Sequence, residues 1–240
     1  MHILHFDSAE AWVAATAARF CWRLQKDPAL RLCLPSGNTP LPLYAALVAA
    51  VQQKEVSFHK STVFTLDEYG GLPKDDPGRC VNMLRHALID QIDLPAAQFH
   101  FLDTQKPDLE RICAEYDARI GRGFDLTLLG IGLNGHVGLN EPGSAADSPT
   151  RRTELHPQST KAAASYVRAS ELPTWGATIG MQQLQKSAEI WLLARGPSKA
   201  AIVERLVRGS ATDRDQVPVA LLRGHPNCWL WVDAEAGAKL

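Results

Sequence analysis

Apolar residues fall along this chain in two alternating patterns: short unbroken runs, and longer stretches in which they recur every three or four positions. The short runs are Met1 to Phe6, Arg31 to Leu34, Thr62 to Leu66, Phe124 to Ile131, Glu189 to Ala194 and Cys228 to Val232. An apolar run of this length bounded by polar turns predicts a strand buried on both faces. Helical patterns lie between them. Asp7 or Ser8 is placed to cap a helix running to about Leu24, with Val13, Ala17, Phe20 and Leu24 on one face. Pro40 to Val51, Gly78 to Ile92, Pro107 to Ile120 and Pro197 to Val207 read as further helices, the last entered through Gly196. Strand, turn and helix repeated this often predict an α/β fold. The expected form is a doubly wound, mostly parallel, Rossmann-like sheet with helices on both faces and right-handed crossovers. No repeat and no Pro/Gly-rich linker divides the 240 residues, so 1–240 is expected to be one domain. The pattern changes once, from Gly143 to about Trp175, where the chain is polar and small. Residues 144–175 are expected to be a small lid beside the site, or an ordinary insertion with a helix in it.

Composition narrows the partners. The chain is 45% hydrophobic and 21% charged, as ordinary soluble globular proteins are. A formal net charge of -1 creates no global field toward nucleic acid or acidic lipid, so an anionic ligand must be held by a few local groups. Five cysteines, an odd count without a CxxC pair, suit free and mostly buried thiols in a reducing compartment. The N-terminus has no basic region followed by an apolar one, and no apolar run is of transmembrane length. These features predict a cytoplasmic protein with no membrane and no nucleic-acid partner, acting as a monomer or small homo-oligomer.

Chemistry-bearing residues collect after the predicted strands, where open α/β sheets keep their ligands. After Arg31 to Leu34 comes Pro35-Ser36-Gly37-Asn38-Thr39-Pro40, a small hydroxyl-bearing loop running into a helix. Its backbone N–H groups, hydroxyls and helix dipole make an anion site suited to phosphate, unless Ser36 and Thr39 only cap the helix. After Thr62 to Leu66 comes Asp67-Glu68-Tyr69. Adjacent carboxylates repel, so one can have a raised pKa and act as a base; a solvated turn or helix cap is the alternative. After Phe124 to Ile131, Asn134, His136 and Glu141 follow within a glycine-broken turn, offering a general acid/base with a carboxylate to orient it. Lys199, at the start of the helix after Arg195-Gly196-Pro197-Ser198, sits beside a positive helix end, a conflict that an anionic ligand resolves and outward snorkelling avoids. The eight histidines form no HxH or HExxH spacing, and no GxSxG elbow is present, so no metal site is expected.

Two blocks, Leu66-Asp67-Glu68-Tyr69-Gly70-Gly71-Leu72-Pro73 and Gly132 through Gly143 (GLNGHVGLNEPG), together with the Pro35–Pro40 loop and Lys199, resemble the glucosamine-6-phosphate deaminase (isomerase) family. The related 6-phosphogluconolactonases share the fold and the glycine loop, but usually carry arginine where Tyr69 stands and lack the Asn140-Glu141-Pro142 that follows the turn here. The resemblance implies conversion of glucosamine 6-phosphate and water to fructose 6-phosphate and ammonia without a cofactor, because the opened sugar's aldehyde acidifies C2–H. It implies that Asp67 moves the proton between C2 and C1. His136 would serve ring opening, with Glu141 orienting it and Asn134 in the third ring-opening position, where many members have aspartate. Ser36, Gly37, Asn38, Thr39 and Lys199 match phosphate-binding positions. Tyr166 falls where a phosphate-contacting arginine is common in the lid, and Arg168 is the residue expected to replace it. The chain ends soon after its last strand, without the longer tail of hexameric members, so the resemblance gives no expectation of their allosteric activation. Galactosamine-6-phosphate deaminase, 6-phosphogluconolactonase and a non-catalytic sugar-phosphate sensor remain the alternatives.

Overall fold

The computed structural model describes residues 1–210 and 216–240. Its elements in chain order are β1 (His2–His5), α1 (Ala9–Lys26), β2 (Arg31–Leu34), α2 (Leu41–Gln52), β3 (Thr62–Thr65), β4 (Asp67–Tyr69), α3 (Cys80–Ala87) and β5 (Phe99–His100). They continue with α4 (Leu109–Ile120), β6 (Leu126–Gly130), β7 (Arg151–Glu154), α5 (Pro157–Ala163), β8 (Trp175–Thr178), α6 (Met181–Gln185), β9 (Ile190–Ala194), α7 (Ala200–Arg208) and β10 (Cys228–Val232). Seven strands form a sheet in the order β1-β10-β9-β6-β2-β3-β5, and every pairing in it is parallel.

Strand alternation sorts the apolar runs onto two faces. Leu32, Leu128, Trp191 and Trp231 face one core with α1, α2 and α3, whereas Cys33, Leu129, Leu192 and Leu230 face another with α4, α6 and α7. Burial on both faces is why these strands read as continuous apolar runs rather than alternating ones. The α/β, doubly wound expectation holds. Ser8 caps α1 through its hydroxyl, but the buried stripe is Trp12, Thr16, Phe20 and Leu24, so Val13 and Ala17 lie one position off the face. Thr16 is tolerated inside because its hydroxyl donates to the Trp12 carbonyl at 2.8 Å.

A second sheet was not expected. Asp67-Glu68-Tyr69 is a strand rather than a turn: β4 pairs antiparallel with β8, and β8 with β7. Residues 144–175 thus supply β7 and α5 and run into β8, an insertion with regular structure that packs over the sheet's carboxyl end. Four cysteines are buried and Cys21 is half-buried; all five are free thiols. No helix among the described residues is long and apolar enough to cross a membrane.

Candidate active site

β2 and β6 are neighbours at the centre of the sheet, and the chain leaves them in opposite directions, β2 toward β3 and β6 toward β9. At such a switch point the two following loops part and leave a crevice at the strand ends. A cavity of about 270 Å³ occupies it, within reach of the size of small-ligand sites. Ser36, Gly37, Asn38 and Thr39 line one end with Lys199, and Asp67, Asn134 and His136 line the rest. The sequence-predicted residues therefore meet, although Glu141 stands just behind the wall and Arg168 is elsewhere.

At the first end, α2 begins after Pro40 with no side-chain capping bond. Ser36 and Thr39 are therefore not spent on the helix, although the Ser36 side chain bonds the Cys80 thiol. Lys199 lies at the start of α7, and its side chain turns inward to donate to the Ile131 carbonyl at 2.7 Å. Burial pulls its ammonium below the ordinary lysine range. An anion beside it would offset that desolvation.

The two carboxylates of β4 point to opposite faces and meet different partners, although burial pushes both up, Glu68 to about 7. Glu68 turns toward α3 and accepts the backbone N–H groups of Tyr69 (2.8 Å), Cys80 (2.8 Å) and Val81 (3.1 Å), with the Arg79 guanidinium 3.3 Å away. It caps the helix and is structural. Asp67 faces the cavity, and burial pushes its carboxyl up to about 6, against smaller lowering by the Cys80 thiol and the His136 charge. The predicted perturbation is present, but its cause is desolvation; mutual repulsion between the neighbours is not what raises it. A cavity-facing carboxylate whose pKa approaches neutrality is suited to take and return a proton.

Across the cavity, the turn after β6 folds back on itself through Gly132 N–H to the His136 carbonyl, 2.9 Å. The imidazole lies flat on Gly132, where a Cβ would stand 2.3 Å from the ring, so only glycine allows this approach. His136 Nδ1 is 3.1 Å from the Ser159 hydroxyl of α5 and 3.5 Å from Glu141 Oε2. With Nδ1 engaged, Nε2 is the nitrogen left for a ligand. Asn134 does not face the ring. Its amide donates to Glu141 Oε2 at 2.8 Å and its carbonyl accepts the His136 N–H at 3.1 Å. Burial pushes Glu141 upward, but hydrogen bonding and charge from His136, with Ser159 and Asn134, outweigh it and hold the carboxyl below its ordinary range. Asn140, fully buried, bonds the Val137 and Ile179 carbonyls and accepts from Arg151 at 2.9 Å, which fixes the turn to β7 and β8.

Arg168 must be corrected. Its side chain is exposed and does not line the cavity, while its backbone N–H bonds the Asp76 carboxylate. Tyr166 stands at that end instead. The residues of 144–175 that reach the cavity are Gln158, Ser159, Ala162 and Tyr166, from α5 and the turn after it. Sequence reasoning missed Ser159, which lies 23 residues from the imidazole it touches, and Cys80, which it had counted only as a thiol. Among the described residues no group of three or more His, Cys, Asp or Glu is arranged to hold a metal.

A glucosamine-6-phosphate deaminase from Shouchella clausii is 36% identical over 241 residues, spanning 99% of this chain and 97% of the relative. One from Bacillus pumilus is 35% identical over 241 residues, 99% of both. The solved structure of a monomeric glucosamine-6-phosphate deaminase superposes with a TM-score of 0.94 at 30% identity, covering 100% of both chains. The 6-phosphogluconolactonase of Thermotoga maritima superposes with a TM-score of 0.76 at 21% identity over 97% of this chain and 99% of that one, which is a likeness of fold. The sequence profile of the glucosamine-6-phosphate isomerases/6-phosphogluconolactonase family matches residues 6–231. This chain belongs to that family.

Proposed function

We propose that the protein is an amino-sugar-phosphate isomerase-deaminase that converts glucosamine 6-phosphate and water to fructose 6-phosphate and ammonia. The observation that carries this reading is the pairing of a buried, cavity-facing Asp67 with a carboxylate-held His136 across one small crevice. The full-length likeness to deaminases supports the same substrate.

The phosphate sits in the Ser36–Thr39 loop beside Lys199, where the uncapped hydroxyls and the partly desolvated ammonium receive it. His136 Nε2 takes the anomeric hydroxyl proton and delivers it to the ring oxygen, which opens the ring. Glu141 holds the imidazole through Nδ1. Asp67 then removes the C2 proton, made acidic by the C1 aldehyde, and returns it to C1, so the enolamine becomes a ketimine. Water adds to the ketimine and ammonia leaves, giving the ketose.

Purified protein should be incubated separately with glucosamine 6-phosphate, galactosamine 6-phosphate and 6-phosphogluconolactone. Ammonia and fructose 6-phosphate from the first substrate are the expected products. Lactone hydrolysis without ammonia release, or ammonia from the galactosamine epimer alone, would overturn the assignment.

A further inference from the structure

The segment that closes the phosphate end, residues 164–170, contains no helix or strand. Its first amides, from Ala164 to Val167, bond back to α5 carbonyls. The next two have no partner of that kind, and both go to one distant side chain. Arg168 N–H and Ala169 N–H donate to Asp76 Oδ2 at 3.1 and 2.7 Å, and Gly78 N–H donates to Oδ1 at 2.8 Å. Asp76 is only 5% exposed, so this is a buried carboxylate whose acceptor capacity is spent largely on backbone.

The loop that carries Asp76 is itself braced. Asn82 donates to the Lys74 and Asp76 carbonyls at 3.0 and 2.9 Å, and the Arg79 N–H returns to the Asp76 carbonyl at 3.2 Å. The two backbones also touch directly. A Cβ on Gly78 would stand 2.7 Å from the Tyr166 and Val167 main chain. The segment thus held carries Tyr166, whose hydroxyl lies 3.6 Å from the position of a Cβ on Gly37 and whose side chain lines the cavity beside Asn38, Thr39 and Lys199. Irregular segments with few contacts of their own open at low cost, and charge-assisted bonds are the stronger means of holding one shut.

We propose that Asp76 is the latch of the phosphate subsite, a positioning residue that holds Tyr166 against the Ser36–Thr39 loop through the 168–169 backbone. This rests on the reading that the loop and Lys199 receive the substrate's phosphate. Asp76 touches no substrate, yet affinity for the phosphorylated sugar depends on it.

The test uses the full chain, with inorganic phosphate as a competitive inhibitor. Asp76→Asn puts an amide where two N–H donors converge, and should raise both KM for glucosamine 6-phosphate and Ki for phosphate by roughly tenfold, because small displacements of positioning groups cost that much or more. The kcat should change less than about threefold, since the phosphate is held alike in ground and transition states. Gly78→Ala leaves the carboxylate untouched but pushes the same segment, and should move KM and Ki in the same direction. It carries the test if Asp76→Asn fails to fold. Unaltered KM and Ki in a folded Asp76→Asn and in Gly78→Ala, with phosphate competing normally in the unmodified enzyme, would overturn the latch alone. A fall in kcat at constant KM would also overturn it, as the mark of a merely structural role. Phosphate that fails to compete in the unmodified enzyme would remove the anion subsite and the latch together.

Discussion

Each side of the cavity holds a carboxyl group, Asp67 facing the cavity and Glu141 just behind the wall, and their surroundings push the two in opposite directions. On the β4 wall, Asp67 is buried with few groups to stabilise its charge, and its pKa climbs to about 6. On the wall built by the turn after β6, Glu141 is also buried, but His136, Ser159 and Asn134 surround it and its pKa falls below the ordinary value. Burial acts on both; what separates them is whether the surrounding donors and charge outweigh it. A carboxyl that titrates near neutrality can exchange a proton with a substrate, whereas one held ionised serves as a fixed charge behind a histidine. Donors do not always win: on β4 itself Glu68 has three backbone donors and the Arg79 guanidinium, yet its complete burial still pushes its carboxyl up to about 7.

Asp67→Asn gives the largest effect. It abolishes the base while keeping the shape, and should lower kcat by roughly 10²–10⁴-fold with substrate binding retained. The same variant should be more stable than the parent above pH 6. The folded pKa lies above the ordinary 3.8, so between those values the native state keeps a proton that the unfolded chain has released. Stability therefore falls as pH rises through that window, at a total cost of roughly 3 kcal/mol. Urea unfolding at pH 8 and pH 4 should show a gain for Asp67→Asn at the higher pH that vanishes at the lower one. Equal gains at both would mean that the carboxyl is not desolvated.

Glu141→Gln comes next, with an expected 10–10²-fold loss in kcat. A residual rate should remain because spontaneous ring opening supplies some open-chain sugar. An open-chain amino-sugar alcohol phosphate should bind this variant nearly as well as the parent. Loss of that binding would make Glu141 a substrate-positioning or structural residue. The smallest effect is at Cys80, which caps nothing with its side chain but faces Asp67. Cys80→Ala removes a donor to the charged form, so the acidic limb of kcat/KM should move up by about half a pH unit, while Cys80→Ser should restore it. An unmoved limb in Cys80→Ala would leave burial alone in charge of Asp67.

The sequence made the central strands of the parallel sheet legible because strands buried on both faces are apolar throughout, and Cys228–Val232 was expected with the bounds it has, whereas the two-residue edge strand β5 was not foreseen. It also brought Ser36, Asp67, His136 and Lys199 to one rim, since that rim follows from strand order. The small antiparallel sheet was not legible. Its strands have three or four residues, and Arg151-Arg152-Thr153-Glu154 reads as solvated chain until β8 pairs with it. Glu68 looked like a repulsive neighbour of Asp67 because the donors that absorb it, Cys80 and Val81, lie 12 and 13 residues away. The expected role of Arg168 failed for a related reason: the turn after α5 presents Tyr166 inward and spends the Arg168 amide on Asp76.

The central claim is that environment, not residue type, sets these two carboxyls to different tasks. Carbon-13 NMR titration of the side-chain carboxyls in the unliganded protein, assigned with Asp67→Asn and Glu141→Gln, measures this directly. The account predicts that Asp67 titrates near 6 and Glu141 below 4.5. Titration of both between about 3.8 and 4.5, or of Glu141 above Asp67, would contradict it.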